Sequence, residues 1–266
     1  MRFKLIELNL FRITNAVIRR LISIPHKLSW FMNSKSNSDK LKLYENKYKG
    51  QTCYLVANGP SLKKMDLSFL ENKISFGLNR IYLAYDDMKF TNNFLVSINK
   101  LVLSQFSDDI NSLKITKFLN WECRNHFDLN MENNLFVYKS FFGKKFGKKM
   151  NTSINPAATV TYAALQIIYY MGFQKVIIIG MDHNFITKDK DQPNKTELVT
   201  EEEDINHFHP NYFPKGSKWE THDLTSSEYF YRIAKTVFEN DKREIYDCTE
   251  NGKCEIFQKG YINDHI

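Results

Sequence analysis

The sequence predicts an α/β fold with a doubly wound, mostly parallel sheet. Short apolar runs at residues 52–57, 74–78 and 93–98 have the continuous hydrophobicity of strands that are buried on both faces. A further apolar run at 175–179 follows a helical segment rich in small residues at 156–171. Because buried strands alternate with helices along the chain, we expect helices on both faces of a parallel sheet, a Rossmann-like arrangement.

The composition is that of a globular protein. The chain of 266 residues is long enough to bury a substantial core in one large domain. Its 21 Phe and 14 Tyr against 10 Gly and 6 Pro exclude a fibrous or low-complexity chain. The four cysteines are widely spaced and form no CxxC pair, which favours reduced thiols and a cytoplasmic location.

The first 32 residues are predicted to form a basic amphipathic helix that associates with a membrane. Residues 1–50 hold 11 of the 37 Lys and Arg residues and 3 of the 30 Asp and Glu residues, so this segment carries +8 whereas the whole chain carries +7. Apolar residues recur at helical spacing between these charges, and Trp30 and Phe31 suit the interface of an anionic leaflet. The alternative is a helix that packs on the domain or on another subunit.

The remaining chain divides into a linker and one folded domain. Residues 33–48 begin with a small, polar stretch and are predicted to form a linker, and 49–266 form the domain. About 35 mostly polar residues after Asp182 lack periodicity and are expected to form a long, mobile lid. A helix at 223–240 and a strand at 244–246 complete the alternation. Because the basic excess lies outside the domain, no nucleic-acid partner is expected.

Polar residues follow each predicted strand at the point where it ends. Ligands of doubly wound sheets bind at the carboxyl ends of the strands, so these residues should converge in one crevice. Gly59 permits close backbone approach, Pro60 fixes φ at a helix start, and Ser61 can cap a helix whose first amides attract a phosphate. A capped helix without a ligand is the alternative. The residues predicted to line the crevice are Asn58, Gly59, Pro60, Ser61, Asn79, Asn99, Asp182 and His183.

Three segments resemble known families: NGPSL after the first strand, FGLNR at the end of the second, and GFQKVIIIGMD at the later strand. They are similar to glycosyltransferase family 42, the bacterial sialyltransferases of lipooligosaccharide synthesis. They also resemble proteins described as 6-hydroxymethylpterin diphosphokinase-like in surface-polysaccharide loci. The resemblance covers about residues 50–260 and leaves out the N-terminal helix.

The first resemblance implies a GT-A-like fold and a glycosyltransferase. Such an enzyme moves a nonulosonate, a sialic-acid-like sugar, from a CMP-activated donor to a surface-glycan or lipid-linked acceptor. The CMP-sugar is a co-substrate, and neither a cofactor nor a metal is implied. This makes 49–266 a nucleotide-sugar-binding catalytic domain, peripheral on the inner face of the cell membrane. Association with further copies of the chain is left open.

The resemblance also implies roles for individual residues. Asn58 and Asn79 match asparagines that contact the nucleotide and donor, and Asn99 matches a third asparagine after the next strand. Hydroxyls or amides at the start of the small-residue helix contact the donor as well. The closest positions here are Thr159 or, with a gap, Ser153 and Asn155.

His222 matches the histidine that acts as general base on the acceptor hydroxyl. Glycosyl transfer to an alcohol needs a base that is neutral near physiological pH, which histidine supplies. A position at the start of a helix disfavours the imidazolium, because the helix dipole is positive there. The competing histidines are His183, His207 and His209, and the spacing of the last two, i and i+2, is also compatible with half of a metal site.

The chain departs from the sialyltransferase pattern at the leaving group. Where those enzymes have a tyrosine two residues after the strand-end aspartate, this chain has Asn184. The following segment, 186–206, contains neither tyrosine nor arginine. The departing phosphate therefore has only three candidate partners: Tyr212, His183 or a lysine of that segment.

Two other functions compete with glycosyl transfer. A 6-hydroxymethylpterin diphosphokinase would use ATP and Mg²⁺, and it would need carboxylates near the phosphates. The first three strands end in asparagines and only Asp182 is acidic. The third hypothesis is a non-catalytic nucleotide-sensing or scaffold protein that uses the N-terminal helix for assembly. The Asp86-Asp87 pair follows a helical stretch and is interpreted as a surface turn.

Overall fold

The computed structural model describes most of the chain and contains a large sheet and a small one. The described residues are 24–140, 145–157, 159–184, 197–201, 203–220 and 223–266. The strands are β1 (Thr52–Val56), β2 (Ser75–Leu78), β3 (Phe94–Ser97), β4 (Thr116–Asn120), β5 (Asn134–Val137), β6 (Lys175–Ile179), β7 (Glu197–Val199), β8 (Lys218–Glu220), β9 (Glu244–Asp247) and β10 (Gln258–Lys259).

Helices surround this framework. Residues 24–33 are the described part of a first helix, α1. The others are α2 (Lys35–Lys42), α3 (Tyr85–Met88), α4 (Lys100–Gln105), α5 (Ser107–Ser112), α6 (Val160–Tyr170) and α7 (Leu224–Asn240). Short 3₁₀ segments lie at Pro60–Lys64, Ser68–Asn72, Ile81–Ala84, Trp121–His126 and Ile262–Asp264. No helix in the described part of the chain is both long enough and apolar enough to cross a bilayer.

The eight-stranded sheet confirms the predicted fold class. Its strand order is β10-β9-β6-β1-β2-β3-β4-β5, and every pairing in it is parallel. The chain winds outward from β1 to β5, crosses back through α6, and adds β6, β9 and β10 on the other side of β1. The direction of winding therefore reverses between β1 and β6. In doubly wound sheets such a reversal opens a crevice at the carboxyl ends of the two strands.

The strands predicted from continuous apolar runs agree with the structure to within one or two residues at each end. Strands β4 and β5 had not been predicted, because polar side chains interrupt their apolar pattern. Lys117, Asn120 and Asn134 are all fully buried. Lys117 keeps its ammonium hydrogen-bonded to the carbonyl of Leu113 at 2.8 Å. Tertiary contacts of this kind cannot be read from local hydrophobicity.

The segment 33–48 is ordered against the domain and is not an open linker. It contains α2, in which Asn37 and Leu41 are buried. The side-chain amide of Asn37 donates to the carbonyl of Phe136 at 2.8 Å and accepts from its N–H at 2.7 Å. Asn37 thus satisfies the backbone of the edge strand β5, as a further strand would.

The core is one continuous apolar cluster on both faces of the sheet. Helix α6 is its centre, because every residue of 161–170 is buried. The four cysteines are buried and unpaired, and burial raises the pKa of the Cys53 thiol well above its ordinary value.

Candidate functional site

The turn after β1 and the turn after β6 meet at the point where the winding reverses. Gly59 N–H donates to the carbonyl of Gly180 at 2.8 Å, which extends the contact between the two strands beyond their ladder. Gly59 has an ordinary φ of −73°, so it is not needed for its backbone freedom. A Cβ atom at this position would lie 1.8 Å from Asp182 Oδ2 and 2.7 Å from the Gly180 carbonyl oxygen. The glycine is therefore required by close approach.

Asp182 supports this turn from the opposite strand. Its Oδ2 accepts from the Ser61 hydroxyl at 2.6 Å, and its Oδ1 accepts from the Ser61 N–H at 3.1 Å. The expectation that Ser61 caps an α-helix is wrong. Residues Pro60–Lys64 form a 3₁₀ segment with Gly59 at its N-cap, and no side chain caps it. Ser61 and Asp182 instead fix each other, which leaves the first helical amides without the predicted phosphate-binding arrangement.

Asn58 has a buried amide oxygen without a partner. The residue is 9% exposed, and its Oδ1 accepts no hydrogen bond from any residue that the structure describes. Its main-chain carbonyl accepts from Phe208 N–H at 2.9 Å, so the backbone is held in place. A buried acceptor without a donor costs about 1–3 kcal/mol, and such groups in native proteins call for an explanation such as a ligand or a water molecule.

Asn79 lies on the next strand and adopts a left-handed backbone conformation with φ 46°. Its Oδ1 accepts from the Ser97 hydroxyl at 3.2 Å, and the N–H of the next residue, Arg80, lies 3.5 Å from the Tyr212 hydroxyl that accepts from it. Non-glycine residues in this conformation are often found at functional sites. Asn79 is thus held between the end of β3 and the lid.

Asn99 follows β3 at the same edge, but its amide is already used. Its Oδ1 caps α4 by accepting from Leu101 N–H at 2.8 Å and Val102 N–H at 3.2 Å. Its Nδ2 donates to Glu220 Oε2 at 3.0 Å. Three adjacent strands therefore present the three asparagines along one edge of the sheet. Among the described residues, the amide oxygen of Asn58 has no hydrogen-bond donor. The amide of Asn99, in contrast, caps α4 and donates to Glu220 of β8.

The start of α6 lies at the same end of the sheet. Thr159 caps this helix by accepting from Thr161 N–H at 3.2 Å, and its hydroxyl is 3.2 Å from that of Tyr231. Asn155 is buried and shapes the preceding loop, because its Oδ1 accepts from Ala157 N–H at 2.9 Å. Ser153 is half-buried.

His222, the predicted general base, lies outside the described residues. His183 directly follows Asp182 and has a left-handed φ of 54°. Its imidazole is buried, with Nε2 3.3 Å from Glu228 Oε1 on α7. A histidine beside a carboxylate has the arrangement of an oriented proton acceptor.

The other two histidines belong to the lid. His207 Nδ1 is 2.7 Å from Asp204 Oδ2, and its ring stacks on Tyr212 with centroids 3.9 Å apart. His209 accepts from Asn211 N–H at 3.1 Å. Both rings therefore have local structural roles. Among the described residues, no group of three His, Cys, Asp or Glu side chains could hold a metal ion.

The described part of the lid is anchored and not mobile as a whole. Strands β7 and β8 pair antiparallel at its base. Three aromatic side chains of the lid itself are buried in the apolar core: Phe208, Tyr212 and Phe213. Sequence reasoning missed this hairpin because its strands have only three residues each. Burial raises the pKa of Tyr212, so its hydroxyl stays protonated.

Arg80 fastens the lid to the sheet, a role that the FGLNR motif alone did not indicate. Its Nη1 donates to the carbonyls of Asn211, at 3.0 Å, and Tyr212. Its Nε donates to the Tyr82 hydroxyl at 3.0 Å, and its guanidinium lies 3.6 Å from the ring centroid of Phe106. Arg80 is only 5% exposed. Its planar fork thus holds two lid carbonyls over the end of β2.

A cleft of about 610 Å³ opens beside the turn after β1. This volume is within the range of about 300–1,000 Å³ that is usual for small-molecule sites. It is bounded by the 3₁₀ segment after the turn, by α3 and by the lid. The lining residues are Leu62, Lys63, Met65, Asp66, Leu67, Ser68, Ala84, Asp87, Lys89, Phe208, His209 and Pro210.

The chain is similar to a known protein family. A family model described as "MptE-like: 6-hydroxymethylpterin diphosphokinase MptE-like" matches residues 28–188. The matched region runs from α1 through β6 and includes the turn at Asn58 and its partner Asp182. No curated protein matches the chain.

Proposed function

The chain belongs to the MptE-like family, and from this premise we propose that it is a transferase whose nucleotide donor binds at the turn between β1 and β6. Membership of the family indicates an enzyme of the transferase or kinase type. The finer proposal is glycosyl transfer: a nonulosonate moves from a CMP-activated donor to a hydroxyl of a surface-glycan or lipid-linked acceptor.

The vacant amide oxygen of Asn58 is the observation that carries this proposal. It is buried at the reversal of winding, where doubly wound sheets bind nucleotides. A ribose hydroxyl or the exocyclic amino group of cytosine offers the donor that this oxygen lacks. Gly59 lets the turns after β1 and β6 meet closely, which fixes the backbone beside Asn58.

The cleft beside the turn is the proposed site for the acceptor. Within the described chain, Lys63 and Lys89 form no ion pair, so they remain available to an acidic group. Asp66 and Asp87 can accept from sugar hydroxyls. A cleft that offers both charges and an apolar floor suits an acidic glycan better than a purely apolar molecule.

The transfer step needs a base and a partner for the leaving group. His222 is the proposed base: it takes the proton from the acceptor hydroxyl while the oxygen forms a bond to the anomeric carbon of the donor. The bond from that carbon to the phosphate oxygen breaks, and its electron pair leaves with CMP. Tyr212 is the proposed partner of the departing phosphate, since burial raises its pKa and keeps its hydroxyl protonated, and this hydroxyl lies 3.5 Å from Arg80 N–H, directly after Asn79.

The second candidate is pyrophosphoryl transfer from ATP to a pterin, which the description of the family favours. That reaction requires Mg²⁺, held by carboxylates near the phosphates. Asp182 is the acidic residue at the turn, and both of its oxygens accept from Ser61. Recruiting it to a metal would release the turn that it supports, so we place this reaction second.

A nucleotide panel separates the two reactions. A ligand that binds only the folded chain raises its melting temperature. We expect CMP to raise Tm in the presence of EDTA, with little response to UDP, GDP or ATP. A shift that requires both ATP and Mg²⁺ supports the second candidate, and no response to any of these nucleotides contradicts both.

A further inference from the structure

Helix α1 is attached to the domain through Trp30. This side chain is 3% exposed. Its ring meets Trp121 edge-on at 5.2 Å and stacks on Tyr138 at 5.8 Å. The expectation that Trp30 anchors the chain in a lipid interface is therefore wrong, since the ring is enclosed by protein.

The face of α1 on the opposite side carries four exposed apolar side chains. Ile24, Leu28, Phe31 and Met32 are 48%, 57%, 73% and 78% exposed. Their spacing of i, i+4, i+7 and i+8 places them in one stripe along the helix. At about 100° per residue, Trp30 lies about 150° around the helix from the centre of this stripe. The stripe therefore faces directly away from the domain.

An exposed stripe of this kind is unusual on a chain that folds alone. A surface helix normally turns its apolar residues towards the core and leaves charges outside. Here Trp30 and a contact of 3.3 Å between His26 Nδ1 and Arg124 Nη1 attach the helix, and four apolar residues remain outside. Clustered apolar exposure commonly marks an interaction surface.

The charge of the surrounding chain indicates what covers the stripe. The first 50 residues carry +8, while the remaining 216 are close to neutral because the whole chain carries +7. Lys27 and Lys35 are exposed beside the stripe. A second copy carries the same net charge of +7 and offers no complementary charge, whereas an anionic leaflet attracts each basic residue near its surface by about 1 kcal/mol.

We propose that the stripe formed by Ile24, Leu28, Phe31 and Met32 docks this protein on an anionic lipid surface. The helix lies in the plane of the interface, with its apolar side chains among the acyl chains and its basic neighbours at the headgroups. Trp30 lies on the opposite side of the helix and packs against the domain, so it connects the domain to the docked helix.

This docking also orients the sheet. Trp121 directly follows β4 and Tyr138 directly follows β5, so α1 is attached at the carboxyl edge that carries Asn58. The docked helix holds this edge about one helix diameter, roughly 10–12 Å, from the lipid. In combination with the proposed function, this favours an acceptor carried by a lipid over a free oligosaccharide.

Vesicle sedimentation with the full-length protein tests the docking. We expect binding to phosphatidylcholine vesicles that contain 30% phosphatidylglycerol (a chosen probe, about one anionic lipid in three), weaker binding to pure phosphatidylcholine, and loss of binding as salt screens the charges. The double substitution Leu28→Ser and Phe31→Ser should weaken binding at least ten-fold. A matched control replaces Leu129 and Met131, which lie outside the lid and are 44% and 42% exposed, by serine and should bind as the wild type does.

The outcomes are distinct from those of the nucleotide panel. Since the substituted side chains are exposed, both double variants should keep the wild-type melting temperature and its response to CMP. Wild-type protein that stays in the supernatant at every lipid concentration overturns the proposal, as does equal binding by the stripe variant. A dimer in solution that the stripe substitutions dissociate, without any vesicle binding, identifies a second copy as the occupant and also overturns it.

Discussion

The substitution Gly59→Ala tests the close approach of the two turns. Gly59 has an ordinary φ, so alanine suffers no backbone penalty and its effect comes from the added methyl group alone. That atom would lie 1.8 Å from Asp182 Oδ2, 2.5 Å from its Cγ and 2.7 Å from the Gly180 carbonyl oxygen. The side chain of Asp182 can move away, but the carbonyl is part of the backbone that follows β6.

The expected cost has two parts. Forcing a methyl group into a packed site costs about 1–3 kcal/mol. Displacing Asp182 also breaks its hydrogen bonds with Ser61, and hydrogen bonds to a charged group contribute about 1.5–3 kcal/mol. The free energy of unfolding should fall by about 3–5 kcal/mol. For a chain of this size, the melting temperature should fall by roughly 10–15 °C.

Urea denaturation of a double-mutant cycle provides the measurement. Asp182→Ala removes two of the three short contacts, so Gly59→Ala should cost at least about 1 kcal/mol less in that background than in the wild type. Gly50→Ala is the control: φ is +80° there and no atom lies within 4 Å of the added Cβ, so backbone strain alone should cost about 1–2 kcal/mol. Additive costs, or a Gly59→Ala variant as stable as wild type, refute the close approach.

Three further substitutions test the lid, a buried charge and the base. Arg80→Met should increase hydrogen exchange of 203–217 and weaken CMP binding several-fold, because two lid carbonyls lose their donor; unchanged protection contradicts the fastening role. Burial lowers the pKa of Lys117 from 10.5 to about 8. Between these two pH values the unfolded chain binds more protons than the folded chain. The free energy of unfolding of the wild type should therefore rise with pH across this window, by about 1–3 kcal/mol. Lys117→Met should abolish that rise in urea denaturation from pH 7 to 10, and a persistent rise means that another group titrates. His222→Ala should lower the rate of transfer at least about 100-fold, while the CMP-induced shift in Tm remains. Turnover within a few-fold of the wild type means that another residue is the base, and His183→Ala is the comparison variant.

Strong local patterns predicted the centre of the fold. Strands β1, β2, β3 and β6 are continuous apolar runs, and the segment rich in small residues at 156–171 predicted α6. The convergence of Ser61 and Asp182, which are 121 residues apart, followed from the rule that parallel strands share a carboxyl edge. The rule did not reveal that the two side chains would bind each other.

Features that depend on tertiary contacts were not predictable. Lys117 is buried although it interrupts the apolar pattern of β4, and its side chain donates a hydrogen bond to the carbonyl of Leu113. Trp30 illustrates the limit of amphipathic patterns, because spacing shows that a helix has two faces but not which one meets the protein. The sequence does not indicate the role of Arg80 either, since its acceptors on the lid are 131 and 132 residues away along the chain.

Calorimetric titration of CMP into the wild type and Asn58→Leu tests the nucleotide site most directly. Leucine has the same branched side-chain shape as asparagine, with larger end groups, but lacks the buried acceptor. We expect Asn58→Leu to affect stability and binding in opposite directions. The ligand-free variant should be as stable as the wild type or more stable, since an unpaired oxygen has been removed, while CMP binding in EDTA should weaken at least about ten-fold. A variant that loses stability but binds CMP as tightly as the wild type would show that Asn58 supports the turn and does not contact the nucleotide.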